Sequence, residues 1–298
     1  LTATERRSRL TGALFVASGA IAFSGKAVII KLAYRYGVDA VTLLALRMLF
    51  SAPFFALLGW WASRGAASIA PRDRWLVAAM GFVGYYLASY FDFLGLQYVT
   101  AALERLLLFV HPTFVVLISA AFFGRRITGR DVVAIAISYA GIFLVFFNDL
   151  STQPGNVLLG AFWVLLSALF YATYLVGSGR LVGRVGSMRF ASYAGLVSCG
   201  AVVAHFCVTS DVGVIFAQPA PVYWLSMLMA LVSTVLPIVL TSEGIRRMGA
   251  SHASIIASVG PIATIALGAI FLAEPVTWVQ IAGALLVLAG VLVVTKAK

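Results

Sequence analysis

Residues 100–128 read TAALERLLLFVHPTFVVLISAAFFGRRIT, and residues 249–277 read GASHASIIASVGPIATIALGAIFLAEPVT. Setting Pro112 on Pro261, an offset of 261 − 112 = 149, brings Ala101 onto Ala250, Phe122 onto Phe271 and Thr128 onto Thr277. The same offset pairs Trp75 with Trp224, Met80 with Met229, Leu87 with Leu236, Gly95 with Gly244, and Ala140-Gly141 with Ala289-Gly290. One residue fewer, 148, lays Gly12-Ala13 on Gly160-Ala161 and Val16 on Val164. The chain is one unit written twice, residues 1–150 and residues 151–298.

The composition says where those units live. Of 298 residues, 62% are hydrophobic and only 10% charged, and the mean hydropathy is +1.03. A soluble surface cannot hide that much apolar side chain, so the solvent is lipid. Runs of about 20 apolar residues, enough to cross about 30 Å of hydrocarbon as helix, recur near residues 10–34, 39–62, 74–97, 102–123, 130–148, 156–179, 187–208, 222–245, 251–272 and 276–295. They show no strand alternation, which favours helices over a lipid-facing barrel. The linkers, such as SRGAASIAPRDR and STQPGN, carry turn residues. The expected fold is an all-α polytopic membrane protein of ten transmembrane helices.

A net charge of +11 raises the question of nucleic acid. Position answers it: of the 21 Lys and Arg, all but Lys26, Lys31, Arg35, Arg47 and Arg105 fall on one face of the ten-helix arrangement. That is the positive-inside bias of a bacterial inner-membrane protein with both termini cytoplasmic, and no nucleic-acid partner is expected. The opening ERRSRLTGALFVASGAIAFSG also mimics a secretory signal, but the repeat requires it as a mature helix. Cys199 and Cys207 lie eight residues apart, about 12 Å along a helix, too far to bond to each other.

Five spans per unit force the second copy into the membrane from the opposite side, so the repeats are inverted. The loops agree. FFGRRITGR holds Arg125, Arg126 and Arg130 where its counterpart FLAEPVTWV has Glu274; RRMGAS has Arg246 and Arg247 where QYVTAA has none. Inverted repeats around a midplane site are the architecture of secondary transporters. The two quoted stretches, with their small Thr100-Ala101 and Gly249-Ala250 pairs, mid-helix Pro112 and Pro261 and the acidic turn Ala273-Glu274-Pro275, resemble the paired EamA repeats of the drug/metabolite transporter superfamily. The chain departs from that pattern at Arg125, which stands at the usual glutamate position. The resemblance is greatest to the bacterial aromatic amino acid and small-metabolite exporters. It implies a central cavity and outward transport of a small molecule, with no cofactor.

Ionisable residues inside hydrocarbon are candidates for function. Lys26, Arg47, Asp92, Glu104 and Arg105 cluster toward the ends of their spans opposite the basic face, as a polar vestibule or an interhelical lock. Lys26 falls on a helical stripe with Phe15, Gly19 and Phe23, which the repeat maps onto Trp163, Ser167, Tyr171 and Tyr174. These two stripes either meet at a shared pocket or are packing faces. Tyr85, Ser89 and Asp92 share a face with Tyr90 beside them, and Thr234 and Thr241 stand at the equivalent positions of Tyr85 and Asp92. Ser254 extends a serine face with Ser251 and Ser258, for binding or for close packing. Glu104 and His111 lie on one face, and Pro112 weakens the helix there, as Pro261 does in its twin. These two helices are read as bending gates, or else as static kinks. Glu243 is an inner gate or a partner of Arg246 or Arg247, and His205 is structural. Mixed charges within aromatic walls suit a zwitterion with an apolar side chain, such as an amino acid. Proton coupling through Asp92, Glu104 or His111 and simple facilitated diffusion both stay open, as do two other cargo classes: cationic drugs and nucleotide sugars or organophosphates. No metal-ligand spacing such as H-E-x-x-H and no phosphate loop occurs, which argues against an enzyme. No surface for oligomerisation is identifiable.

Overall fold

The computed structural model describes residues 3–124, 127–152, 155–248, 253 and 256–295. Ten apolar helices run through it: α1 Ala3–Tyr34, α2 Ala40–Ser63, α3 Pro71–Gly95, α4 Ala101–Phe123, α5 Gly129–Thr152, α6 Val157–Val185, α7 Ser187–Thr209, α8 Ala220–Met248, α9 Gly260–Leu272 and α10 Trp278–Thr295. The first eight are long enough to cross a bilayer, and the described parts of the last two are shorter. Their ends follow from local chemistry. Asp39 accepts from the amides of Val41 and Thr42 at 2.9 and 3.0 Å and so starts α2, and Thr100 accepts from Leu103 N at 3.1 Å and starts α4. Left-handed residues at repeat-equivalent positions, Gly124 and Ala273, end α4 and α9.

Every helix of the first half lies antiparallel against one helix of the second. Gly12 and Val16 of α1 meet Gly244 of α8, while Gly160 and Val164 of α6 meet Gly95 of α3. These are one contact made twice, because the sequence offset carries each pair onto the other. The remaining pairs join equivalent helices: α2 with α7 through Gly59 and Ser192, α5 with α10 through Gly141 and Gly283, and α4 with α9 through Arg105 and Gly260. Small residues dominate these seams because lipid offers no hydrophobic drive to bring helices together, so close backbone approach and dispersion must do it. Gly81 shows the constraint most plainly. A Cβ there would lie 2.5 Å from Ala194 O and 2.8 Å from its Cα. Gly81→Ala is therefore expected to push α3 off α7 and cost about 1–3 kcal/mol. A melting temperature unchanged in detergent would contradict that contact.

The duplication also reproduces its irregularities. Wide i→i+5 turns occupy Gly81–Leu87 in α3 and Leu231–Val235 in α8, the same place in each unit. Such turns collect at functional sites and disturb the backbone ladder. In α8 the Thr234 hydroxyl covers the Met229 carbonyl at 3.0 Å. Likewise α4 breaks at Phe109–Val110 before His111-Pro112, and α9 begins after a turn at Ser258–Val259, before Gly260-Pro261. Pro112 and Pro261 thus each sit where the helix restarts, at a position that has no ladder bond to lose.

Candidate functional site

Five charges from four helices converge in the first half. Lys26 of α1 places Nζ 2.5 Å from Asp92 Oδ2 of α3 and 3.5 Å from Glu104 Oε1 of α4. Arg47 of α2 donates from Nε to Thr234 Oγ1 of α8 at 3.0 Å and lies over the Phe93 ring. Arg105 of α4 lies between the rings of Phe23 and Phe109, 5.1 and 5.6 Å from their centroids. All five are buried, none more than 8% exposed. The cluster holds three cations and two carboxylates, and both carboxylates turn to Lys26. That leaves two guanidinium groups without an acidic partner within 4.0 Å among the described residues. Arg47 Nη1, Arg105 Nε, Asp92 Oδ1 and both oxygens of Glu104 are buried without a hydrogen bond. Unmet donors and acceptors side by side in a low-dielectric interior are costly, and a ligand carrying both polarities would satisfy them together.

Aromatic rings continue from this cluster. Phe23 is 5.4 Å from Lys26 Nζ. His111 meets Tyr171 edge-on at 5.3 Å, Tyr171 stacks on Tyr174 at 5.8 Å, and Tyr174 meets Tyr85 edge-on at 5.3 Å. The His111 Nδ1 lies 2.8 Å from Leu108 O, so the backbone at the helix break holds the imidazole. Pro112 follows it at the restart of α4, and Pro261 is buried at the start of α9.

The two stripes read from the sequence divide along their length. Phe15 lies under Arg247 at 4.8 Å and Gly19 against Thr241, both in the α1–α8 seam. Their counterparts serve the α3–α6 seam: Trp163 stacks on Phe91 at 5.4 Å, and buried Ser167 donates to Ala88 O at 2.7 Å. Only the far ends, Phe23 with Lys26 and Tyr171 with Tyr174, reach the charges and rings just described. Tyr90 faces α7, where it and Tyr86 hold His205, whose Nδ1 is 3.0 Å from Tyr86 Oη. Ser89 is half-buried beside them. Glu243 takes two bonds from Arg246, at 2.6 and 2.7 Å, and one from Arg247 at 2.7 Å. Its chemistry is that of a local ion pair at the basic end. Ser254, like Arg125 and Arg126, lies outside the described residues.

A second polar group closes the face opposite the basic end. Glu274, in the turn after α9, accepts from Ala101 N at 3.2 Å and pairs with Lys31 at 3.1 Å. Lys31 also donates to Val99 O at 2.8 Å, Arg35 donates to Leu272 O at 2.8 Å, and Thr100 donates to buried Asp149 at 2.5 Å. One acidic side chain of the second half thus caps a helix of the first and holds the end of α1. Nothing in the periodicity marks Lys31, Arg35 or Asp149 for these places, since only the packing of α1, α4, α5 and α9 brings them together.

Ten apolar helices in two repeats around buried, unsatisfied charge define a multi-pass membrane transporter of small solutes. The chain belongs to the EamA-like transporter family, whose model matches residues 10–147 and 158–296. It is 33% identical over 282 residues to the Bacillus subtilis (strain 168) uncharacterized transporter YcbK, covering 93% of this chain and 90% of that one. An uncharacterized transporter of Archaeoglobus fulgidus is 25% identical over 258 residues, 86% of this chain and 87% of its own. A crystal structure 18% identical in sequence covers 96% of this chain and 99% of that one with a TM-score of 0.66, which shows the same fold.

Proposed function

We propose that this protein exports amino acids with aromatic or other apolar side chains, threonine and methionine included, and related small metabolites, across the bacterial inner membrane by alternating access. The reading rests on one observation: Glu104 carboxylate oxygens without a hydrogen bond and guanidinium groups without an acidic partner stand in one buried cluster bordered by aromatic rings. A zwitterion offers an ammonium to the first, a carboxylate to the second and an apolar body to the rings. Both termini lie on the cytoplasmic side in this reading, as the arginine distribution favours. The outward direction follows from the exporter branch the sequence resembles. Glu104 is the natural carrier if a proton moves with the cargo, because it shares Lys26 with Asp92 and has no hydrogen bond to lose.

The experiment is counterflow in liposomes containing the purified protein, preloaded with unlabelled phenylalanine, threonine or methionine. Protein-dependent entry of the labelled amino acid is expected, and its response to an imposed proton gradient tests coupling. Absence of exchange for all three, with uptake of an organic cation instead, would transfer the site to a cationic drug. Preference for an organophosphate would transfer it to a phosphorylated cargo.

A further inference from the structure

We infer that Arg105 is the docking point for a carboxylate of the transported molecule, so that the cargo is a monocarboxylate whose apolar body lies along Phe23, Phe109 and Tyr171. The inference deepens the amino acid reading and rests on it for the identity of the site, but it makes a separate claim: the carboxylate is obligatory, with or without the amino group.

Three observations carry it. First, Arg105 is 8% exposed and its Nε is buried without a partner. No hydrogen bond and no carboxylate within 4.0 Å reaches its guanidinium among the described residues, although Glu104 is its neighbour in sequence. A guanidinium stays charged in any protein environment, so a buried one without an anion is an unfilled position and cannot lower its cost by losing a proton. Second, the surroundings fix its orientation. The Phe23 and Phe109 rings lie on the group, and Gly260 offers it a bare Cα, where a Cβ would fall 2.5 Å from Nη2. Third, Arg105 sits where the two repeats meet. Gly260 begins the second half's broken helix, the Gly260 carbonyl is held by Ser24 Oγ at 3.0 Å, and Tyr171 lies within electrostatic reach. A planar fork aimed past two rings matches a carboxylate two-pronged.

The other cations serve other ends. Lys26 is taken by two acids and Arg47 by Thr234. Arg105 is thus the guanidinium of the cluster with no hydrogen bond at all among the described residues, whereas Arg47 has its Nε held by Thr234, and one guanidinium matches a singly charged group. A phosphate monoester brings about −1.5 to −2 and calls for several converging cations, so a phosphorylated cargo is disfavoured.

The test uses four small probes on the full-length protein in liposomes: phenylalanine, 3-phenylpropionate with a carboxylate and no amine, phenylalaninamide with an amine and no carboxylate, and phenyl phosphate. Inhibition of counterflow and shift of the melting temperature are read for each. Phenylalanine and 3-phenylpropionate are expected to be recognised at least tenfold better than phenylalaninamide. Recognition of 3-phenylpropionate without phenylalanine would sink the amino acid reading and leave this one standing. Arg105→Lys, which keeps the charge and loses the fork, is expected to reduce the carboxylate-to-amide preference about tenfold or more. Gly260→Ala acts without touching Arg105 chemically. The three atoms nearest its Cβ all belong to the far end of the flexible Arg105 side chain, so the fold is expected to hold while the guanidinium moves, with the same loss of preference. Equal handling of phenylalanine and phenylalaninamide overturns the proposal, as does phenyl phosphate preferred over both carboxylates. An unaltered preference in a well-folded Gly260→Ala protein also overturns it.

Discussion

Lys26→Met is expected to abolish transport and to destabilise the protein by about 3–5 kcal/mol, the range for removing one partner of a buried ion pair. Lys26 is the only cation within 4.0 Å of Asp92 and Glu104 among the described residues. Its loss strands two adjacent carboxylates, 1% exposed each, against one another. The partners decide whether the ammonium serves architecture or transport. In Lys26→Met/Asp92→Asn/Glu104→Gln all three charges go together, and most of the stability lost in the single variant is expected to return, because no carboxylate is left stranded, while Arg47 and Arg105 stay without an acidic partner as before. Transport is expected to stay absent, since the acceptor for the cargo's ammonium has gone with Glu104. A triple variant as unstable as the single one would show that the cost comes from lost packing of the Lys26 stem. A transporting triple variant would take these three residues out of the binding site.

Glu274→Gln is expected to open the face that Lys31, Arg35 and Glu274 hold shut. The carboxylate ties Lys31 at 3.1 Å and caps the amide of Ala101 at 3.2 Å. Exchanging it for an amide removes an ion pair 14–25% exposed in its side chains and weakens a charge-assisted cap. Together these are worth about 1–2 kcal/mol, a factor of about 5–30 in a two-state population. Val99, which lies beneath Lys31 and is 2% exposed, reports the change. With Cys199 and Cys207 replaced, a cysteine at Val99 is expected to react with maleimide about 5–30-fold faster in the Glu274→Gln background. Equal rates in the two backgrounds would mean that the seam is held by apolar packing and the polar ties are incidental.

The sequence carried the architecture in unusual detail because the duplication is an internal alignment. The repeat pairs Gly95 with Gly244, which pack on Gly160 and Gly12 in turn, and Pro112 and Pro261 mark the two broken helices. Lys26, Asp92 and Glu104 were legible as a cluster because charges inside hydrocarbon have few places to go. Which of them join was not, for three spans bring them together and periodicity describes one span at a time. The aromatic stripes show the same limit. Helical spacing puts Trp163 and Tyr171 on related faces, yet α3 covers the first and leaves the second to His111. Arg105 was legible as a member of that cluster, but the partner it lacks was not.

The halves share a backbone plan and divide the chemistry unequally. Lys26, Arg47, Asp92, Glu104 and Arg105 all belong to the first, and the repeat places Tyr174, Thr241, Ala253 and Ser254 opposite Lys26, Asp92, Glu104 and Arg105. During synthesis, therefore, the residues most averse to lipid emerge within the first five spans. Lys26 and both its acids are all present in the chain before any of the second half exists. Arg47 and Arg105 must wait for Thr234 and Gly260. The ionic contacts therefore divide by repeat: Lys26 and its two acids need nothing from the second half to come together, whereas the two arginines without an acid gain Thr234 and Gly260 only once the second copy folds back along the first.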